Sequence, residues 1–198
     1  MKWLKIVLFL YITITKYADC KNYTKHKRWE QISNQRIFSV SGLVHHKNGF
    51  LMVHDNKKEN QPRISFFKNN KISPLIWPDS SLPYDLEAIS IIPSFKNQYI
   101  LMESTGKCYK IKIEQRNNQI TLMNIFQLET NEDMNLEGCI IVKGNFGYKI
   151  MYGDRGSDLR KSTLFIGDFN PIDNNITNLV QHMIDLPAPG EHKRNIAD

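Results

Sequence analysis

The sequence predicts an all-β chain, and three observations carry that prediction. Beyond residue 40, short runs rich in Ile, Val, Tyr, Phe and Thr follow one another, separated by Asn, Gly, Lys and Pro. After the first twenty residues there is no stretch of 3.6-residue periodicity long enough for a core helix. The third observation is an internal repeat. Phe50-Leu51-Met52-Val53, Tyr99-Ile100-Leu101-Met102 and Tyr148-Lys149-Ile150-Met151 begin 49 residues apart, and Ser41-Gly42, Glu87-Ala88 and Glu137-Gly138 lie 46 and 50 residues apart. Units of about 40–50 residues, each with room for four strands, are what β-propeller blades look like. About three four-stranded antiparallel blades are expected, which is an incomplete ring.

Residues 1–20 have the marks of a secretory signal peptide. Lys2 and Lys5 form a charged start, Ile6 to Thr15 is an apolar run of ten, and the small residues Ala18 and Cys20 stand two apart. The run is too short to span a bilayer. An uncleaved anchor or an apolar first strand is the alternative. The expected domains are therefore 1–20 as signal and 21–198 as partial propeller, in a secreted or periplasmic protein whose mature chain has no membrane span.

Removing residues 1–20 deletes three lysines and one aspartate and takes the formal charge from +6 to +4. The remaining charges are scattered, with no basic helix or Lys/Arg stripe interleaved with aromatics, so no nucleic-acid partner is expected. Cys108 and Cys139 stay in the mature chain. Neither has a CxxC partner or a His at metal spacing, so zinc is not indicated. Two buried thiols are expected in preference to a disulfide, which an oxidising compartment would permit.

The strands follow in order. Phe50 to Val53 and Arg63 to Phe67 belong to the first unit, which the short apolar strand after Ser41 opens. Ala88 to Ile92, Gln98 to Met102, Cys108 to Ile113 and Ile120 to Leu128 form the second. Leu136 to Val142, Tyr148 to Tyr152, Thr163 to Ile166 and Leu179 to Leu186 form the third. Lys47-Asn48-Gly49, Lys68-Asn69-Asn70, Arg116-Asn117-Asn118 and Asn170-Pro171 supply turns.

In a propeller the first strand of each blade lines the central channel, so Ser41, Glu87 and Glu137 are expected to converge on one axis. Carboxylates there, with Asp85, Asp55 and Asp154, offer oxygen ligands to a hard cation such as Ca²⁺; solvated acids at the channel mouth are the alternative. Lys57 and Arg155, at the polar ends of second strands, could hold an anion, although Asp, Asn and Gly beside them also suit plain turns. His45-His46 points to opposite faces and reads as a hairpin end. Ser104-Thr105-Gly106 lacks the G-x-S-x-G elbow of a serine hydrolase. Trp29 and Trp77 are expected to pack in preference to forming sugar platforms, although Trp77-Pro78 at a loop start suits either role, and Asn22 and Asn175 head glycosylation sequons.

Ser41-Gly42-Leu43, His54-Asp55-Asn56, Asp85-Leu86-Glu87-Ala88, Glu103-Ser104 and Asn135-Leu136-Glu137-Gly138 together resemble the secreted phytase-like and SdiA-regulated propeller group, over residues 38 to 156. The resemblance implies a six-bladed, calcium-associated ring and adds Glu103 to Lys57 and Arg155 as ligand-contacting candidates. Ala88 stands where that group usually carries Gly, and Asn135 where it carries a second Asp. Two functions are then expected in competition. One is a module that binds a divalent cation and a ligand or partner at the channel mouth without catalysis. The other is a phytase-like calcium-dependent ester hydrolase. Three units fall short of the four to eight blades typical of a propeller. Either the chain is part of a longer protein, which is the favoured expectation and would be monomeric once its ring is complete, or a partner copy closes the ring.

Overall fold

The computed structural model describes residues 31–114, 117–157 and 160–184. The expected signal peptide, Trp29 and the Asn22 sequon lie outside the described residues. Everything below concerns the compact unit that begins at Ile32. Among the described residues, no helix is long and apolar enough to cross a membrane.

A short 3-10 turn at Arg36–Phe38 precedes three four-stranded sheets. The first contains β1 (Gly42–His46), β2 (Gly49–Val53), β3 (Ile64–Lys68) and β4 (Lys71–Pro74). The second contains β5 (Leu86–Ile91), β6 (Gln98–Glu103), β7 (Lys107–Ile113) and β8 (Ile120–Gln127). The third contains β9 (Leu136–Gly144), β10 (Gly147–Asp154), β11 (Ser162–Phe169) and β12 (Ile176–Ile184). Every neighbouring pair is antiparallel and consecutive in sequence, so each sheet is a simple meander. β1 lies against β5, and β5 against β9, which makes the first strand of each sheet the innermost. These are three blades of a β-propeller, as the repeat predicts.

The core is two layers between blades. Leu51, Val53, Ile64 and Phe66 of the first blade meet Ile89, Tyr99, Leu101, Tyr109 and Ile111 of the second. Ile100, Met102, Cys108 and Leu128 of the second meet Ile141, Ile150, Tyr152 and Phe165 of the third. The middle blade is therefore covered on both faces. In β6 every residue from Tyr99 to Glu103 is buried, with Tyr99 and Leu101 serving one layer and Ile100 and Met102 the other. Period-two alternation between two covered faces leaves a continuous apolar run in place of an in-out pattern. Burying each such side chain contributes roughly 1.5–3 kcal/mol. Tyr152 stacks on Phe165 at 4.7 Å, and Trp77 packs edge-on against Tyr109 at 5.4 Å, which agrees with a packing role for Trp77. Cys108 and Cys139 are free thiols, without a disulfide between them.

Two details differ from the sequence reading. Lys71–Pro74 forms an outermost strand that was not expected, and an edge position is where a proline can sit in a sheet. The pairing register also moves one repeat position. Phe50 pairs with His45, Tyr99 with Ile91, and Ile150, not Tyr148, pairs with the corresponding Ile141. The β9–β10 hairpin extends further before its turn, so the third aromatic lies two residues early. A shift of two keeps a side chain on its face, which is why the repeat remained readable.

Candidate functional site

The inner strands begin at one end of the blades, and two of them begin with a bulge. In the second blade Leu86 pairs with Glu103 and Ala88 with Met102, so Glu87 has no partner residue. In the third, Leu136 pairs with Asp154 and Gly138 with Gly153, which leaves Glu137 in the same position. Ser41 is their counterpart, one residue before the Gly42–Val53 pair. A bulged residue is released from the ladder and its side chain is re-aimed, a device that recurs beside functional sites. The expected equivalence of Ser41, Glu87 and Glu137 is thus present in the backbone register. Ser41 uses its hydroxyl to join two blades, donating to the Leu86 carbonyl at 2.5 Å and the Val53 carbonyl at 3.2 Å.

The next layer is structural. His54, Glu103 and Asp154 stand at the ends of second strands and are all buried. Each holds the segment that leads into the inner strand of its own blade. His54 Nδ1 donates to the Ser39 carbonyl at 2.9 Å, and its Nε2 accepts from Ser65 Oγ at 2.9 Å. A carbonyl only accepts, so Nδ1 carries the proton, and burial lowers the pKa of this neutral ring. Glu103 accepts from the Tyr84 N–H at 2.7 Å and from the Tyr109 hydroxyl at 2.5 Å. Asp154 accepts from the Asn135 N–H at 3.0 Å and is paired with Arg160, whose guanidinium also meets Asp133. The Glu103 and Asp154 carboxylates are committed to the fold.

The other candidates are exposed enough to meet a ligand, but most are already paired. Asp55 is gripped by both terminal nitrogens of Arg36, at 3.0 and 2.8 Å, which holds its carboxyl below the usual range. Asp85 meets Lys57 at 2.9 Å and the Ser104 hydroxyl at 2.9 Å, and this partner raises the lysine pKa. Glu137 accepts from Asn135 at 2.7 Å and faces Arg155 at 3.5 Å; burial nonetheless raises its pKa. Lys57 and Arg155, the expected anion clamps, thus each face a carboxylate. Arg36 and Arg160 were missed by sequence reasoning, since they lie in loops that no local pattern marks, and Ser104, although part of the Glu103-Ser104 element, was not read as the partner of Asp85.

Glu87 differs from the rest. Among the described residues no donor is hydrogen-bonded to its carboxyl group and no cation is paired with it. Burial, reinforced by the nearby charges of Glu137, Asp85 and Asp55, pushes its pKa from 4.5 up to about 7. Lys57 only partly opposes this. Such a group can hold a proton near neutral pH or accept a cation. Among the described residues, no three of the His, Cys, Asp and Glu side chains are grouped so as to hold a metal ion. A cation at Glu87 would therefore draw further oxygens from backbone, water or a bound molecule.

No protein-family model matches this chain, and no curated protein matches it. Among solved structures, it is similar to the structure of the Neurospora crassa Pan2 WD40 domain, with 14% identity and a TM-score of 0.47. The match covers 72% of this chain and 36% of that one, so the chain spans about a third of the length of its neighbour.

Proposed function

We propose that this chain is a non-catalytic propeller module that binds a divalent cation, and with it a ligand or partner, at the end of the blades where Ser41, Glu87 and Glu137 stand. One observation carries the reading: Glu87 is a half-buried carboxyl group beside three other acids, without a donor or a cation of its own. A cation relieves that repulsion, and calcium suits an oxygen site in which water and backbone complete six to eight ligands. The phytase-like hydrolase is the weaker reading, because Lys57 and Arg155, the two clamps expected for an anionic substrate, each meet a carboxylate. The likeness to the phytase-like and SdiA-regulated group is kept as part of this proposal, as is export of a mature chain that begins near Lys21.

Calcium titration by calorimetry at pH 7.5 tests the reading, with Glu87→Gln as the comparison. Binding by the parent that weakens at least tenfold in the variant is expected, together with a calcium-dependent rise in Tm. Equal heats from parent and variant would remove Glu87 from the site, and no binding by either would end the cation proposal. N-terminal sequencing of exported material checks the processing site.

A further inference from the structure

A cavity of about 210 Å³ lies between the second and third blades, lined by none of the acids at the start of the inner strands. Its walls come from β8 and the segment after it, from β10, and from the turn into β12. Phe126, Tyr152 and Leu179 form the apolar side; Phe126 stacks on Phe169 at 6.3 Å, and Tyr152 stacks on Phe165. Gln127, Glu129 and Asn174 form the polar side. Asn174 precedes β12 with a φ of +63°, which suits asparagine, and its N–H donates to the Asn170 carbonyl at 2.8 Å. That accounts for its backbone and not for its side chain. The residue is 5% exposed, and among the described residues its Oδ1 has no hydrogen-bond partner. A buried carbonyl oxygen without a partner is costly, so a donor belongs in the cavity beside it.

The charge of the cavity says which donor. Among the described residues no Lys, Arg or His lines it, and no cation is paired with the Glu129 carboxylate. The Tyr152 hydroxyl donates to the Glu129 carbonyl at 3.1 Å, and burial and then the charge of Glu129 raise the pKa of that tyrosine. Gln127 uses its amide hydrogens on the Thr105 and Leu128 carbonyls, at 2.8 and 3.3 Å, which leaves its oxygen to accept. The three polar groups each offer an acceptor oxygen, and one carries a full negative charge. The apolar side and a volume of about seven waters favour an organic ion over a bare one. We propose that this cavity binds a small organic ammonium ion, a primary amine on a short hydrocarbon chain. An ammonium group has three donors and no acceptor, which matches Asn174, Glu129 and Gln127, and its chain lies against Phe126, Tyr152 and Leu179. The site is independent of the calcium reading, because it shares no residue with Ser41, Glu87 and Glu137.

The probe is n-butylammonium chloride, titrated at pH 7 and constant ionic strength while the amide NMR signals of the purified chain are followed. It stays protonated there, as a lysine side chain does. Saturable shifts clustered on Phe126, Asn174 and Leu179 are expected, with butan-1-ol binding roughly tenfold more weakly. Glu129→Gln should weaken the ammonium roughly tenfold, and Asn174→Gly roughly fivefold. Both are mild changes, since Glu129 is exposed and glycine accepts the positive φ of Asn174. The free spectrum of each variant confirms its fold. No saturable binding would mean that water alone fills the cavity, and would overturn the proposal. Equal affinity for butan-1-ol would also overturn it, as would an affinity unchanged in either variant or shifts centred on Glu87 and Glu137.

Discussion

Replacing Glu87 with Gln should stabilise the protein at pH 8 and leave it nearly unchanged at pH 4.5. The pKa of this carboxyl group is about 7 in the folded chain, against 4.5 without the fold. Between those values the folded protein keeps a proton that the unfolded chain has released. Folding is therefore most favoured by this group below pH 4.5, and stability falls as pH rises towards 7 and then levels off. The whole gap corresponds to roughly 3 kcal/mol, and solvent contact at a half-buried group reduces it to about 1–2 kcal/mol. Glutamine has nearly the same shape and no charge, so the variant escapes that loss. Urea unfolding from pH 4.5 to pH 8.5 measures the difference between variant and parent, which cancels the acid sensitivity of other carboxylates such as Asp55. A difference that grows by about 1–2 kcal/mol across the window is expected. A flat difference, or a variant less stable at pH 8, would refute the argument that burial and like charge together raise this pKa.

Three further outcomes follow from other positions. Asp154→Ala removes a fully buried acceptor and leaves the Asn135 N–H and Arg160 without it, so a loss of about 3–5 kcal/mol is expected in urea unfolding. Gly156→Ala and Gly138→Ala should behave oppositely. The first has a φ of +79° and would set a Cβ 2.7 Å from the Ser162 nitrogen, costing about 1–3 kcal/mol. The second meets no atom within 4 Å and should stay within about 0.5 kcal/mol of the parent. Cys108, fully buried and its thiol raised by that burial, should resist alkylation at pH 8 until denaturant exposes it, whereas Cys139, only partly buried and its thiol pushed up to about 12, should react slowly in the native protein. Rapid labelling of the native protein would contradict this.

The parts of this molecule that were legible in the sequence are those written locally. Ser41, Glu87 and Glu137 could be matched because each precedes a small residue at the start of an inner strand, and the bulges keep that arrangement. Strand β6 was readable because a strand covered on both faces needs an unbroken apolar run. Tyr148 was misaligned because aromatic identity does not encode where a hairpin turns. The roles of Asp55, Asp85 and Asp154 stayed hidden for a different reason. Whether a carboxylate is free or neutralised depends on its partner, and Arg36, Lys57 and Arg160 reach these acids from 19, 28 and 6 residues away through loops without a repeat.

The middle position of the second blade carries a consequence for the order in which backbone amides become accessible to exchange. In stacked units, each contributes its own stability and a term from every neighbour it touches. Among the described residues, the second blade has a neighbouring blade on both sides, and the first and third have one each. Amides of β6 and β7 should therefore exchange with deuterium only through global opening, while those of β3 and β11 exchange through cheaper, local excursions. Closing a ring would give every blade two neighbours and erase that gradient, so the spread of exchange rates across the three sheets is itself a reading of whether the arc stands alone.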